Sequence, residues 1–207
     1  MAAVLAAACR PAVSPQVLQR FAGRDLFTCC NVHYESENIN DANYWVGKTL
    51  PAGTPVRVEK ATRDSVTFVA ADVKLTLTHE YGSGQEAPQQ YFDKVLSGAD
   101  PRPRIAAYPA AVRRAIDSGK VERGMTRNQV IASLGYPPTH RTTSLQEREW
   151  TYWYNRWITY KVVFDDAGKV ADVVGRPAPT AEVPILNADA PPKPGPSKPP
   201  AKRQKKK

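Results

Sequence analysis

The stretch EREWTYWYNRWITYKVVFDDAGKVADVVG, residues 147–175, constrains the fold more than any other part of the chain. Successive side chains of a strand point to opposite faces, so Trp150, Tyr152 and Tyr154 share one face of a first strand. On the next strand Ile158, Tyr160, Val162 and Phe164 share one face, and the Asp165–Gly168 turn leads into a third, Val170–Val174. The result is a three-stranded antiparallel meander with a single apolar face. Such a face is not stable bare in water, so two helices must cover it.

The residues just before the meander supply them. In YPAAVRRAIDSGKV, Val112 and Ile116 stand one turn apart with Ala111 and Ala115 beside them and Gly119 as a stop, the pattern of a first amphipathic helix. In GMTRNQVIASLGYPP, residues 124–138, Thr126 and Gln129 form a capping box. Its threonine hydroxyl is expected to accept from a first-turn amide while the glutamine reaches back. Met125 and Val130 can close a hydrophobic staple, Gly135 suits a positive φ past the last turn, and Pro137 and Pro138 forbid continuation. The apolar stripe of Val130, Ile131 and Leu134 is too short to hold a helix by itself, so it must be buried on the meander.

Gly-Met-Thr-x-x-Gln-Val followed by Leu-Gly-x-Pro, a tryptophan and tyrosine strand, and YKVVFDDAGKVADVVG together resemble the small outer-membrane lipoproteins of the barrel-assembly machinery, the BamE family, also called SmpA or OmlA. The resemblance spans residues 108–176. It implies a two-helix layer on a three-stranded sheet, a fold shared with small inhibitory domains that bind enzymes, and a periplasmic scaffold as the role. The chain departs from that family in carrying a further N-terminal unit and a basic tail.

From Asp25 to Thr78, short β-branched and aromatic runs alternate with turns at Pro51–Gly53, Arg63–Asp64 and Ala71–Asp72. This spacing predicts a small antiparallel barrel or curled sheet over residues 24–98. The phrase LPAGTPVRV resembles the loop-into-strand step of bacterial SH3-like barrels. The fold class expected for the whole chain is therefore α+β: a small antiparallel SH3-like β-barrel, then the two-helix, three-stranded domain, then a disordered tail. Tyr34, Tyr44, Trp45 and Tyr81 either line a peptide groove on the barrel or fill its core. Residues 99–107, with Pro101 and Pro103 between Arg102 and Arg104, read as a Pro-rich, semi-rigid extended linker.

The amino terminus, MAAVLAAAC, is a small and apolar run ending at Cys9 and resembles the end of a bacterial lipoprotein signal peptide. Residues 1–9 are accordingly expected to be a signal remnant with Cys9 as the lipidated residue, and residues 10–23 a linker. Cys29 and Cys30 are adjacent. On a strand one would be buried and one at the surface, and in an oxidising compartment a vicinal disulfide is the alternative. The chain has no Cys-x-x-Cys, and His33, His79 and His140 are far apart, so no metal site and no cofactor is expected.

Catalytic constellations are equally missing from the pattern. Asp165 and Asp166 sit in a hairpin turn, His140 and Ser144 have no third partner, and no glycine-rich phosphate loop exists. A binding module, not an enzyme, is expected. Alternation turns Trp153 outward and leaves Trp157 at the turn. Beside Arg156 and Arg148 these make a candidate protein-binding surface, with Tyr44 and Trp45 added from the first unit. The other reading packs Trp153 under that unit.

The formal charge of +9 is concentrated at the carboxyl end: residues 178–207 carry +5 of it. Residues 177–207 have no apolar face and read as a disordered Pro/Lys-rich tail. Lys202, Arg203, Lys205, Lys206 and Lys207 at its tip are expected to seek a polyanion, either anionic lipid or cell-wall polymer in the envelope, or nucleic acid in a cytoplasmic protein. The expectation as a whole is a non-enzymatic, lipid-anchored adaptor on the periplasmic face of the outer membrane. It would hold envelope proteins during outer-membrane assembly or maintain envelope integrity. The alternatives are a soluble, cytoplasmic nucleic-acid-associated protein and a periplasmic inhibitor-like binding module.

Overall fold

A computed structural model describes residues 19–21, 23–42, 44–79 and 84–175. The first half is a curled sheet. Strands β1 (Leu26–Thr28), β3 (Asn38–Asn40), β5 (Pro55–Ala61), β6 (Ser65–Ala70), β7 (Val73–Thr78) and β8 (Leu96–Ser97) join in the order β3-β7-β6-β5-β1-β8, while β2 (Val32–Tyr34) pairs with β4 (Lys48–Leu50) as a separate ribbon. The alternation in SVTFVA and VKLTLT puts Val66, Phe68, Leu75 and Leu77 on the concave side, with Val66 opposite Leu77 and Phe68 opposite Leu75. Ala71 and Asp72 both take positive φ, 48° and 62°, which gives the two-residue β6–β7 turn the twist a hairpin favours.

The sheet differs from the expected antiparallel barrel in one pairing: β3 runs parallel to β7, Asn38 opposite Thr76 and Asn40 opposite Thr78. A parallel pair needs a long crossover, and here the crossover is the whole β4–β6 excursion. The sheet remains a half-barrel. Helix α1 (Pro88–Val95) covers its open side with Tyr91, Phe92 and Val95.

The run expected to be an extended spacer instead forms a helical turn, α2 (Arg102–Ala106). Pro103 lies in the first turn, where a missing N–H costs no hydrogen bond and a fixed φ is already helical. Helices α3 (Ala110–Asp117) and α4 (Arg127–Leu134) follow, then the meander β9 (Glu149–Trp153), β10 (Thr159–Phe164) and β11 (Val170–Val174) in the order β11-β10-β9. Cross-strand aromatic contacts fill its inner face: Trp150 meets Phe164 edge-on at 4.7 Å between ring centres, and Tyr152 stacks on Tyr160 at 5.8 Å.

Helix α4 sits at the middle of this second core, with Val130 to Leu134 all buried. Only the glutamine half of its expected capping box forms. The Thr126 amide donates to Gln129 Oε1 at 2.8 Å, whereas the amides of Gln129 and Val130 both donate to the Thr126 carbonyl, at 3.0 Å each, and its hydroxyl makes no cap bond. At the far end Gly135 has φ 80° and ψ −176°, a backbone region open essentially to glycine alone.

The second core also takes residues from the first half of the chain. Cys29 and Cys30, joined to each other in a disulfide, are both buried in it, which overturns the expectation of one exposed thiol. The reason is that residues 29–31 are not an edge strand but the crossover between β1 and β2, passing beneath α1 and α4. Cys29 N–H donates to Val95 O at 2.9 Å and Asn31 N–H to Ala132 O at 3.0 Å. The Asn31 side chain, 2% exposed, donates to Ile116 O at 2.6 Å and Ser133 O at 3.1 Å and accepts from the Ala52 amide at 3.0 Å.

Candidate functional site

The β9–β10 hairpin is built to present one side chain. Asn155 accepts the amides of Trp157 and Ile158 on its side-chain oxygen at 2.9 and 3.0 Å, a local turn that fixes the backbone at Trp157. Trp157 is 82% exposed, whereas Trp150 is buried and Trp45 and Trp153 are partly buried. Beside it Arg156 lines one wall of a concavity of about 120 Å³, whose other walls include His33, Tyr34, Asn38, Asn40 and Tyr44. The loop of residues 35–47 therefore brings Tyr44 and Arg156, distant in sequence, to one surface.

Trp45, the neighbour of Tyr44, points the other way. Its ring stacks on Tyr154 at 5.5 Å and its indole N–H donates to Gly119 O at 2.6 Å. The main chain here extends the meander: the amides of Trp45 and Val46 donate to the carbonyls of Trp153 and Tyr154, at 3.1 Å each, covering the otherwise open edge of β9. Trp45 is thus half-buried in the second core and does not line the concavity. Gly119 has φ 63°, and a side chain there would meet the His33 ring at 3.2 Å, so glycine is required at this close approach.

Trp153 turns outward from the apolar face, as alternation requires, but it is not free surface. The Arg141 guanidinium lies over its ring, 5.8 Å from the centroid, and its indole nitrogen is buried with no hydrogen-bond acceptor among the described residues. Arg148 is exposed and pairs with Asp166 at 3.1 Å. It precedes β9, whereas Trp157 follows it, and the five-residue strand between them is about 17 Å long. The expected cluster therefore separates: Trp157, Arg156 and Tyr44 gather at one end, Arg148 lies at the other, and Trp153 and Trp45 are partly buried. Cys9, Tyr81, Lys202, Arg203, Lys205, Lys206 and Lys207 lie outside the described residues.

Sequence reasoning passed over His33, Asn38 and Asn40 as site residues. The signal was there in NVHYESENIN, a polar run placed between apolar strands, whose asparagines suit exposed hydrogen-bonding positions. His33 is buried, with Nδ1 3.1 Å from Thr49 Oγ1, and burial pushes its pKa down from 6.5 to about 4. It lends the concavity a neutral wall. Among the described residues no three of His, Cys, Asp and Glu converge to hold a metal ion, and no helix is long and apolar enough to cross a membrane.

Residues 113–174 match the family model of the outer membrane protein assembly factor BamE domain. Those bounds enclose most of α3, all of α4 and the whole meander, so the matched region coincides with the layer that carries the Trp157 hairpin. Comparison with curated proteins and with solved structures gave no match.

Proposed function

We propose that this chain is a non-enzymatic envelope lipoprotein that holds a protein partner during outer-membrane assembly or maintenance, with Trp157 as the anchor of the contact. The observation that carries the proposal is the exposure of Trp157 on a hairpin stiffened by Asn155, within a domain matched to an outer-membrane assembly factor. A large aromatic ring on a rigid turn next to an arginine is the composition favoured at the energetic centre of protein interfaces. Tyr44 and Arg156 supply a polar rim, and the adjoining concavity accommodates a side chain from the partner. Cys9 is the proposed lipid attachment point, which would hold the domain at the periplasmic face of the outer membrane.

The test is capture from envelope extract by the full chain, by Trp157→Ala and by a chain ending at residue 177, each with a cross-linker to fix transient contacts. Trp157→Ala should reduce capture by about tenfold or more, in keeping with the roughly 2 kcal/mol or more that anchor residues carry. Loss of the tail should leave capture intact. Capture that survives Trp157→Ala and vanishes with the tail, together with a salt-sensitive shift of DNA or RNA by the full chain, would replace this function with nucleic-acid binding.

A further inference from the structure

The disulfide between Cys29 and Cys30 has two unlike sides. Cys29 lines a half-open cleft of about 380 Å³ between α1, α2 and α4, together with Gln90, Lys94, Arg104, Ile131 and Tyr136. Cys30, 2% exposed, faces the interior, where it borders a void of about 10 Å³ beside Leu77, Tyr91 and Val95. Both flanks of the pair are pinned, Cys29 N–H to Val95 O at 2.9 Å and Asn31 N–H to Ala132 O at 3.0 Å, so the segment cannot roll over to exchange the two sulfurs.

Charge in the cleft is also unequal. Its carboxylates are engaged, Asp93 by Arg20 and Asp100 by Arg102, and Lys94 is held by Glu86 at 2.5 Å. Arg104 is exposed and has no carboxylate partner among the described residues, which leaves the lining that Cys29 shares with an unpaired positive charge. An electropositive approach to a sulfur favours attack by a thiolate.

From this asymmetry we propose that Cys29–Cys30 is a thiol–disulfide exchange site, entered only from the cleft and selective for thiols that carry negative charge. An incoming thiolate attacks the Cys29 sulfur. The Cys29–Cys30 bond breaks, a mixed disulfide forms on Cys29, and Cys30 leaves as a thiolate that takes up a proton. A second thiolate attacks the outer sulfur of the mixed disulfide and releases Cys29 as a thiol. In sum, two external thiols are oxidised to one disulfide, and the cysteine pair gains two electrons and two protons.

The experiment uses the full chain with Cys9→Ser as background. Cys30→Ser, which leaves only Cys29, and Cys29→Ser, which leaves only Cys30, are incubated folded with glutathione disulfide, and the adduct is followed by intact mass. Cys30→Ser should react at least about tenfold faster, and the difference should vanish in denaturant. Independently of those variants, reduction of the parent disulfide by glutathione should slow about threefold in Arg104→Gln, as expected when one charge is removed from the approach of an anion. Reduction by 2-mercaptoethanol, whose attacking thiolate carries a single negative charge, should slow distinctly less. Equal adduct rates in the two folded variants would overturn the proposal. So would a parent chain whose two thiols alkylate without prior reduction, or an Arg104→Gln effect of the same size on both reagents.

Discussion

At the centre of the first core, neighbours in space are neighbours in sequence: Val66 faces Leu77 and Phe68 faces Leu75 across a two-residue turn, while β1, β3, β8 and the helix α1 join from further away. The second core is assembled differently. Asn31 reaches Ile116 and Ser133 across 85 and 102 residues, and Trp45 reaches Gly119 across 74. The helices and meander of residues 110–174 thus rely on a segment that the chain laid down long before them. Burial of Cys29, Cys30 and Trp45 and coverage of the β9 edge are supplied by residues 29–46, so the second core is completed by the first half of the molecule.

Because of that dependence, the largest effect should come from Asn31. Replacing it with alanine strands the Ala52 amide, at about 1–3 kcal/mol, and takes one donor each from the Ile116 and Ser133 carbonyls, at about 0.5–1.5 kcal/mol apiece, so a loss of about 4 kcal/mol is expected in denaturant unfolding. A single cooperative transition should be retained, because the residue joins both cores.

Acid should act on the same junction. His33 titrates near 6.5 when unfolded and at about 4 when folded, because burial disfavours its charged form. Its contribution is present above pH 6.5 and is lost as pH falls toward 4, since the unfolded chain takes up the proton first. The loss amounts to roughly 3 kcal/mol, at 1.36 kcal/mol per pH unit. Stability measured against pH in His33→Gln should lack that component of the slope between these limits.

Gly119→Ala should cost about 2 kcal/mol, from positive φ together with the tight approach to His33 and Trp45. Thermal melting would read the loss, and Trp45 fluorescence should shift with it, which a change confined to α3 would not cause. The smallest effect distinguishes the two halves of the α4 cap. Gln129→Ala should cost about 0.5–1 kcal/mol by removing the acceptor of the Thr126 amide, whereas Thr126→Ala should cost less, its hydroxyl being idle in the structure.

These contrasts also mark what the sequence could disclose. The meander, its inner face, both helices and the Gly135 stop follow from periodicity and punctuation, because each rests on contacts within a few residues or one turn. The parallel β3–β7 pair, the buried disulfide and the inward turn of Trp45 do not, because each is decided by a partner dozens of positions away. The site shows the same division. Trp157 was legible as a residue at a turn, but the separation of Arg148 from it, and the gathering of Tyr44 with Arg156, depend on where the loop of residues 35–47 crosses the sheet.

Amide hydrogen exchange on the full chain tests the central claim, that the two cores stand or fall together through residues 29–46. Amides of β6, in the first core, and of β10, in the second, should open with the same free energy, and Asn31→Ala should lower both by the same amount. Protection of β10 that persists at its original level in Asn31→Ala while that of β6 falls would show that the second core stands without the first, and the account would be wrong.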